Sequence, residues 1–337
     1  MRIKKNGLTF SLKSIACPLC GGSGRRSVCT KFDLPISSCA GCGLVLADPR
    51  LPKQELMKRY RSKEFFAEYL AALNAAPDAY DLDHVRRHYS IPLGLLGRPP
   101  RSGARVLDAG CGPGFFIRAA AENGWAVEGV EVAEAAVVYA RNVVGVPVQE
   151  GAFEEAVLPA GAYDAVTFLD ILEHVRDPRA VLEKACRILR PGGKIVVSTP
   201  DYRSLSRLLL GRSWAVLSPA EHLYYFTAGT LKRLLAATGF DVRGVANLLV
   251  FNPNYTHAAG SRRHLRWRDI HARLERKSLA QRILMYEVRK ILRLGNGRDK
   301  PASPPGAARA AVRKLYNGLR VLVRGDILFA VAVKKSL

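Results

Sequence analysis

Between Ala104 and Phe251 short apolar runs alternate with amphipathic stretches of helical period. The runs ARVLDAG, WAVEGVEV, VPVQEG, YDAVTFLD and GKIVVSTP are too short for helices and rich in strand formers, so they predict strands. Regular alternation of strands with helices predicts an α/β fold whose parallel sheet is covered on both faces. FDVRGVANLLVF supplies a sixth strand, and DILFAVAVKK near the end of the chain a seventh. Ahead of this core, LPKQELMKRYRSKEFFAEYLAAL and DLDHVRRHYSIPLGLL have helical period and run into the linker GRPPRSG. From Trp267, the residues Ile270, Leu274, Ile283, Leu284, Val288, Ile291 and Leu292 fall largely at helical spacing. Val312, Leu315, Leu319 and Leu322 repeat the pattern after the break GNGRDKPASPPG. No internal repeat is evident.

Composition narrows the class. A chain of 337 residues with 48% hydrophobic and 24% charged residues has ample material for a core. No apolar run approaches the ~20 residues of a membrane span. The start, MRIKKNGLTFSLKSIA, is basic without a sustained apolar stretch, so it does not predict a secretory signal, and a cytoplasmic location is expected. Charge is the outlier. Residues 257–337 carry 20 Lys and Arg against 5 Asp and Glu, or +15 of the net +23. Such a surplus suggests an anionic partner. Combined with the apolar stripe, it points to peripheral contact with the anionic inner membrane face, although a solvated face on two packed helices accounts for it equally well. RNA is the less favoured partner, because no base-reading module is evident and the stripe would be idle.

Five of the seven cysteines fall in the first 42 residues. CPLCGG and CAGCGL set Cys17, Cys20, Cys39 and Cys42 as two C-x2-C pairs, the spacing of a structural zinc ribbon. Gly21 and Gly43 suit the tight turns such knuckles need. Two disulfides are the alternative, and the lack of a secretory signal argues against them. Cys29 is left over. The expected organisation is therefore a ribbon over 1–50, a helical lead-in over 51–101 and a core over 102–255. A basic helical insertion over 256–325 and a last core strand over 326–337 complete it.

The turn VLDAGCGPGFF carries Gly110, Gly112 and Gly114 in strict alternation, with Asp108 just ahead of them. A pyrophosphate seat has little use for a carboxylate placed so close to helix amides. Glu131, at the end of the second strand, stands where an acid accepts ribose hydroxyls. A nucleoside with a cationic amino-acid tail suits both acids, as S-adenosylmethionine does.

VLDAGCGPGFF, VEGVEVA, YDAVTFLDILEHVRDPRAVLEKACRILRPGGKIVVSTP and EHLYYFTAGTLKRLLAATGF together resemble the class I S-adenosylmethionine-dependent methyltransferases. The likeness is greatest to the bacterial group of ubiquinone-biosynthesis O-methyltransferases and sugar methyltransferases, many of which carry a similar zinc-binding leader. It covers about Ala104–Phe251 and the last strand. It implies a Rossmann-like seven-stranded sheet whose last strand runs antiparallel between the fifth and sixth. It also implies that Asp108, Gly110 and Gly112 surround the methionine moiety, that Glu131 takes the ribose, and that Leu169 and Asp170 face the reaction centre. Ala152 stands where many relatives have an adenine-binding Asp, which leaves backbone groups and Phe153 for adenine.

Methyl transfer from a sulfonium is an in-line displacement, and a hydroxyl acceptor must also lose a proton. DILEHV offers Asp170, Glu173 and His174, and some quinone-pathway relatives hold a divalent cation at such a cluster. A structural turn is the competing reading. SPAEHLYYFT offers Glu221, His222, Tyr224 and Tyr225, with His222 as a general base or a loop pin. His84 and His88 lack a third ligand and read as helix-face polar residues. Tyr60 and Tyr69 read as packing aromatics, with closure over the cofactor as the alternative. Arg86 and Arg87 read equally as an anion contact or as a solvated face. Three acceptor classes result: a small-molecule or saccharide hydroxyl, lipid- or nucleotide-linked; a keto-sugar carbon; and RNA.

Overall fold

The computed structural model describes residues 2–5, 8–73, 75–248 and 326–335. A hairpin of β1 (Arg2–Lys5) and β2 (Leu8–Ser11) comes first. The leader then forms β3 (Arg25–Lys31), β4 (Leu34–Cys39) and β5 (Val45–Ala47). Four short helices follow: α1 (Lys53–Tyr60), α2 (Lys63–Ala72), α3 (Leu82–His88) and α4 (Ser90–Leu96). The first helical stretch of the sequence is thus two helices. Ser62 turns extended and its hydroxyl accepts from the Phe65 amide, which starts α2 afresh.

The core alternates as its pattern predicts. The strands are β6 (Arg105–Ala109), β7 (Ala126–Glu131), β8 (Val148–Glu150), β9 (Tyr163–Leu169) and β10 (Leu189–Pro200). After them come β11 (Tyr224–Tyr225), β12 (Phe240–Leu248) and β13 (Ile327–Lys334). Seven of these make one sheet in the order β12-β13-β10-β9-β6-β7-β8. β13 is antiparallel to both neighbours, and the other pairings are parallel. Alternate residues feed opposite faces. Leu107, Val166 and Val197 enter one apolar cluster, while Val106 and Ala165 enter another with Phe115, Phe116 and Ile117 of α5 (Phe115–Glu122). α7 (Pro178–Ile188) starts on an Asp177 cap with Pro178 in its first turn, and α9 (Ala228–Ala237) starts on a Thr227–Thr230 capping box. Two further helical segments are α6 (Glu134–Tyr139) and α8 (Leu205–Leu210).

β11 belongs to a different sheet. Its two residues complete the leader's sheet in the order β11-β5-β4-β3, so a loop of the core supplies one edge of the ribbon. The expected basic helices over 256–325 lie outside the described residues. Among the described residues no helix is long and apolar enough to cross a membrane.

Asp164, at the start of β9, secures the entry of the chain into the sheet. Its buried carboxylate accepts two bonds from Arg101, at 2.7 and 3.2 Å, and one from the Arg105 amide at 2.9 Å. Asp164→Ala strands that amide, and with Arg101 half exposed the expected loss is about 1–3 kcal/mol, read from the midpoint of urea denaturation. An unchanged midpoint would contradict the assignment.

Candidate functional site

The turn after β6 passes through left-handed backbone at Gly110 (φ 70°), Gly112 (φ 53°) and Gly114 (φ 79°). Space adds to that demand, since a Cβ on Gly110 would lie 2.4 Å from Ile171 Cδ1. The amides of Gly110 and Cys111 both donate to the Val130 carbonyl, which ties the turn to β7. Beneath it, Asp108 is buried and accepts from Thr167 Oγ1 at 2.5 Å. Burial raises its carboxyl to about 7, against the Thr167 bond and with help from Glu131. Glu131 is buried too. One of its oxygens accepts from the Val132 and Ala133 amides, and the other from the Gly112 amide at 2.9 Å. Burial raises its carboxyl while those three amides oppose the rise. Tyr69, from α2, lies over the turn, 3.4–3.5 Å from where a Gly112 Cβ would be. Phe153 is buried edge-on against Phe168, and Leu169 is partly buried at the end of β9.

Asp170 sits in left-handed backbone (φ 56°), strained for a residue with a side chain. That twist turns its carboxylate to Ser198, whose hydroxyl donates at 3.0 Å and whose backbone carbonyl accepts from the Asp170 amide. Burial raises its carboxyl to about 6, and the Ser198 bond opposes this.

One turn further, Glu173, His174 and His222 meet, with one donor atom of each lying within 4.8 Å of the others. The grouping departs from the expected Asp170–Glu173–His174 cluster, because the twist at Asp170 sends its side chain to Ser198. His222 takes the place of Asp170. The two constellations that looked separate in sequence are therefore one. The His174 and His222 rings meet edge-on, with centroids 4.6 Å apart. His222 Nδ1 lies 2.6 Å from the Val216 carbonyl, which can only accept, so Nδ1 carries the proton and Nε2 keeps its lone pair. His174 Nδ1 faces the Tyr60 hydroxyl at 2.7 Å and the Glu221 carbonyl at 3.1 Å. Its Nε2 is 4.0 Å from Glu173 Oε1. Thr199 donates to Glu173 Oε2 at 2.9 Å, whereas Oε1 is buried without a hydrogen-bond partner. Burial, then Asp170, hold the Glu173 carboxyl well up; burial lowers both imidazoles, so they are neutral at neutral pH.

Tyr60 is thus more than a packing aromatic. Thr167, Ser198 and Thr199 carry the acids, and their positions at strand ends were the signal in the sequence. His84 and His88 stack on α3 away from this cluster, and Arg86 pairs with Glu122 and Asp83.

In the leader, the four thiols of Cys17, Cys20, Cys39 and Cys42 gather within 4.8 Å, with Cys17–Cys42 and Cys20–Cys39 both at 3.5 Å. The four are free thiols. Each knuckle closes on its glycine: the Gly21 amide donates to the Cys17 carbonyl, and the Gly43 amide to that of Cys39. Burial pushes the Cys39 thiol up, but the Cys42 and Gly41 amides and the Cys20 thiol outweigh it and bring it to about 6. Four sulfurs converging from two knuckles suit a tetrahedral zinc ion.

Known proteins place these features in a family. A family model described as a methyltransferase domain matches residues 82–245. The chain is 34% identical over 164 residues to the ubiquinone biosynthesis O-methyltransferase of Idiomarina loihiensis, covering 45% of this chain and 67% of that one. It is 39% identical over 124 residues to the enzyme of the same name from Xanthomonas oryzae pv. oryzae, covering 35% of this chain and 50% of that one. Among solved structures, the [4+2]-cyclase SpnF has 17% identity and a TM-score of 0.51, covering 86% of this chain and 99% of that one. Phosphoethanolamine N-methyltransferase 2 of Haemonchus contortus has 15% identity and a TM-score of 0.50, covering 100% of this chain and 71% of that one. These two likenesses speak to the fold. The identity to the Idiomarina relative runs across two thirds of that protein, and the chain belongs to the class I S-adenosylmethionine-dependent methyltransferases.

Proposed function

We propose that this enzyme methylates a hydroxyl of a small-molecule or saccharide acceptor, with the acceptor seated against His222. The observation that carries the reading is the fixed tautomer of His222, whose Nδ1 is committed to Val216, in a side chain that gathers with Glu173 and His174. In the step proposed, the acceptor oxygen attacks the methyl carbon as the carbon–sulfur bond breaks. The sulfonium becomes a neutral thioether, and the hydroxyl proton passes to His222 Nε2. Asp108 and the turn at Gly110 and Gly112 would hold the methionine moiety, and Glu131 the ribose. The names of the relatives, O-methyltransferases, support this reading over carbon methylation of a keto-sugar and over RNA methylation.

A second reading has its own observation. The partnerless Oε1 of Glu173 points to a divalent cation held by Glu173, His174 and His222, for which carboxylate and imidazole are apt ligands. A cation bound there would acidify the acceptor hydroxyl.

His222→Ala is expected to lower turnover ~10²–10⁴-fold while cofactor affinity, measured by calorimetry, stays unchanged. Since burial keeps this imidazole neutral to below its ordinary 6.5, turnover should hold from neutral pH down past that value before it falls. Wild-type turnover in the variant would reject His222 as base. Turnover abolished by a chelator that leaves the leader's zinc in place would favour the cation.

Cofactor binding should depend on Asp108. A carboxyl held at about 7 is largely protonated in mild acid, and a cationic ligand requires the ionised form. Affinity for S-adenosylmethionine is therefore expected to rise as pH climbs towards about 7, and Asp108→Asn should bind weakly and without that dependence. A flat wild-type profile would show that Asp108 does not meet the cationic part of the cofactor.

A further inference from the structure

We infer that the cysteine leader is a positioning element for the acceptor side of the site, with Arg50 as its clasp. Metal occupancy of the four thiols then sets the geometry of His222 and His174. The role given to His222 rests on the proposed function, whereas the mechanical coupling stands on the backbone alone.

The coupling is a continuous ladder. β4 ends in Cys39 and pairs with β5 through Ile36–Ala47, Ser37–Leu46 and Ser38–Val45. β5 pairs in turn with β11 through Leu46–Tyr224 and Val45–Tyr225, and the Ala47 amide donates to the Leu223 carbonyl at 3.0 Å. From there the Leu223 and Tyr224 amides both donate to the Glu173 carbonyl, at 2.8 and 3.2 Å. His222 precedes the first of these residues, and His174 follows Glu173. A strand of two residues has too few bonds to persist unpaired, so β5 is what makes β11 a strand.

Arg50 repeats the connection with side chains. It is buried, and it forms no ion pair among the described residues. Its guanidinium donates to the Tyr224 hydroxyl at 3.0 Å and to the Arg176 carbonyl at 2.9 Å, while the Tyr224 hydroxyl donates to that same carbonyl at 2.8 Å. One fork thus pins the loop after β9 to β11. The first knuckle reaches this region as well. Arg25 donates to the Gly22 carbonyl beside Cys20 and to Asp48, two residues before Arg50. Core arginines grip the knuckles in return, with Arg179 donating to the Pro18 and Leu19 carbonyls and Arg233 to that of Cys42. Among the described residues, Asp108 and Glu131 have no such ties. The hydrogen bonds of Asp108 and Glu131 run to Thr167, Gly112, Val132 and Ala133, none of them in the leader.

The test compares the full chain loaded with zinc, the chain stripped by a chelator under reducing conditions, and the zinc-loaded variants Arg50→Met and Arg50→Lys. Stripping should speed amide exchange at 223–225 roughly tenfold or more. The imidazole NMR signals of His174 and His222 should move, while those of His84 and His88 stay. Exchange across β6 and β7 and affinity for S-adenosylmethionine should not change. Arg50→Met should keep its zinc by elemental analysis yet reproduce the faster exchange and the moved signals. Lysine should not rescue it, because its ammonium lacks the planar fork that holds the Tyr224 hydroxyl and the Arg176 carbonyl at a fixed spacing. Identical exchange and imidazole signals in loaded and stripped protein would overturn the inference. So would a purified chain that holds no zinc, or stripping that also opens β6 and β7 and ends cofactor binding. Loss of the His222 base assignment would leave these exchange results standing.

Discussion

Three buried carboxyl groups and a fourth, half-buried one lie along one end of a single sheet, and the rest of the site is arranged around that cost. Asp108 is next to last in β6, Glu131 ends β7, and Asp170 and Glu173 follow β9, all at the carboxyl edge of the sheet. An ionised carboxylate in such surroundings needs donors. Glu131 receives three backbone amides, whereas Asp108 and Asp170 each receive one side-chain hydroxyl. The difference shows in their acidity, with Asp108 raised to about 7 and Asp170 to about 6. A cationic ligand beside them would relieve this cost, as the proposed seating of S-adenosylmethionine would.

Glu173 solves the same problem through its main chain as well as its side chain. Its carbonyl is the anchor for Leu223 and Tyr224, so the loop carrying His222 is built against the residue whose carboxyl lacks a second donor. Fold alone would not choose this chemistry. The cyclase that shares the architecture has another reaction in its name, and the sheet is common ground. What distinguishes this chain is which groups its loops bring to the sheet's edge.

Much of this was legible in the residues. The strands announced themselves by length and composition, and the alternate glycines by a turn that only left-handed backbone can make. The two C-x2-C knuckles predicted four converging thiols. The cluster at Glu173 was only half legible. Asp170 and His174 are neighbours in sequence, but a single residue in left-handed backbone turns Asp170 to Ser198, and no local pattern encodes that. His222 joins through a strand of two residues, below any period a sequence can display. Tyr60 packs against Phe65 as its pattern predicts, but its hydroxyl contact was not legible, because the partner His174 is 114 positions away. Helical period was also blind to the break at Ser62, since a cap inside an apolar pattern leaves the period nearly intact.

The division of labour that results is physical. The glycine turn after β6 closes on the neighbouring strand β7 through Val130 and Glu131, and Asp108 on β9 through Thr167, so this geometry is largely set once the sheet forms. The surroundings of the Glu173–His174–His222 cluster are assembled from the loop after β9, the loop at β11, helix α1 and the leader, which are distant in sequence. Closing such distant contacts costs chain entropy that local turns do not incur. A metal bound by the four thiols would remove freedom from the leader before it docks and would add stability to its short strands. The leader therefore braces the fold where its contacts are most distant in sequence, at the loop after β9 and the loop at β11.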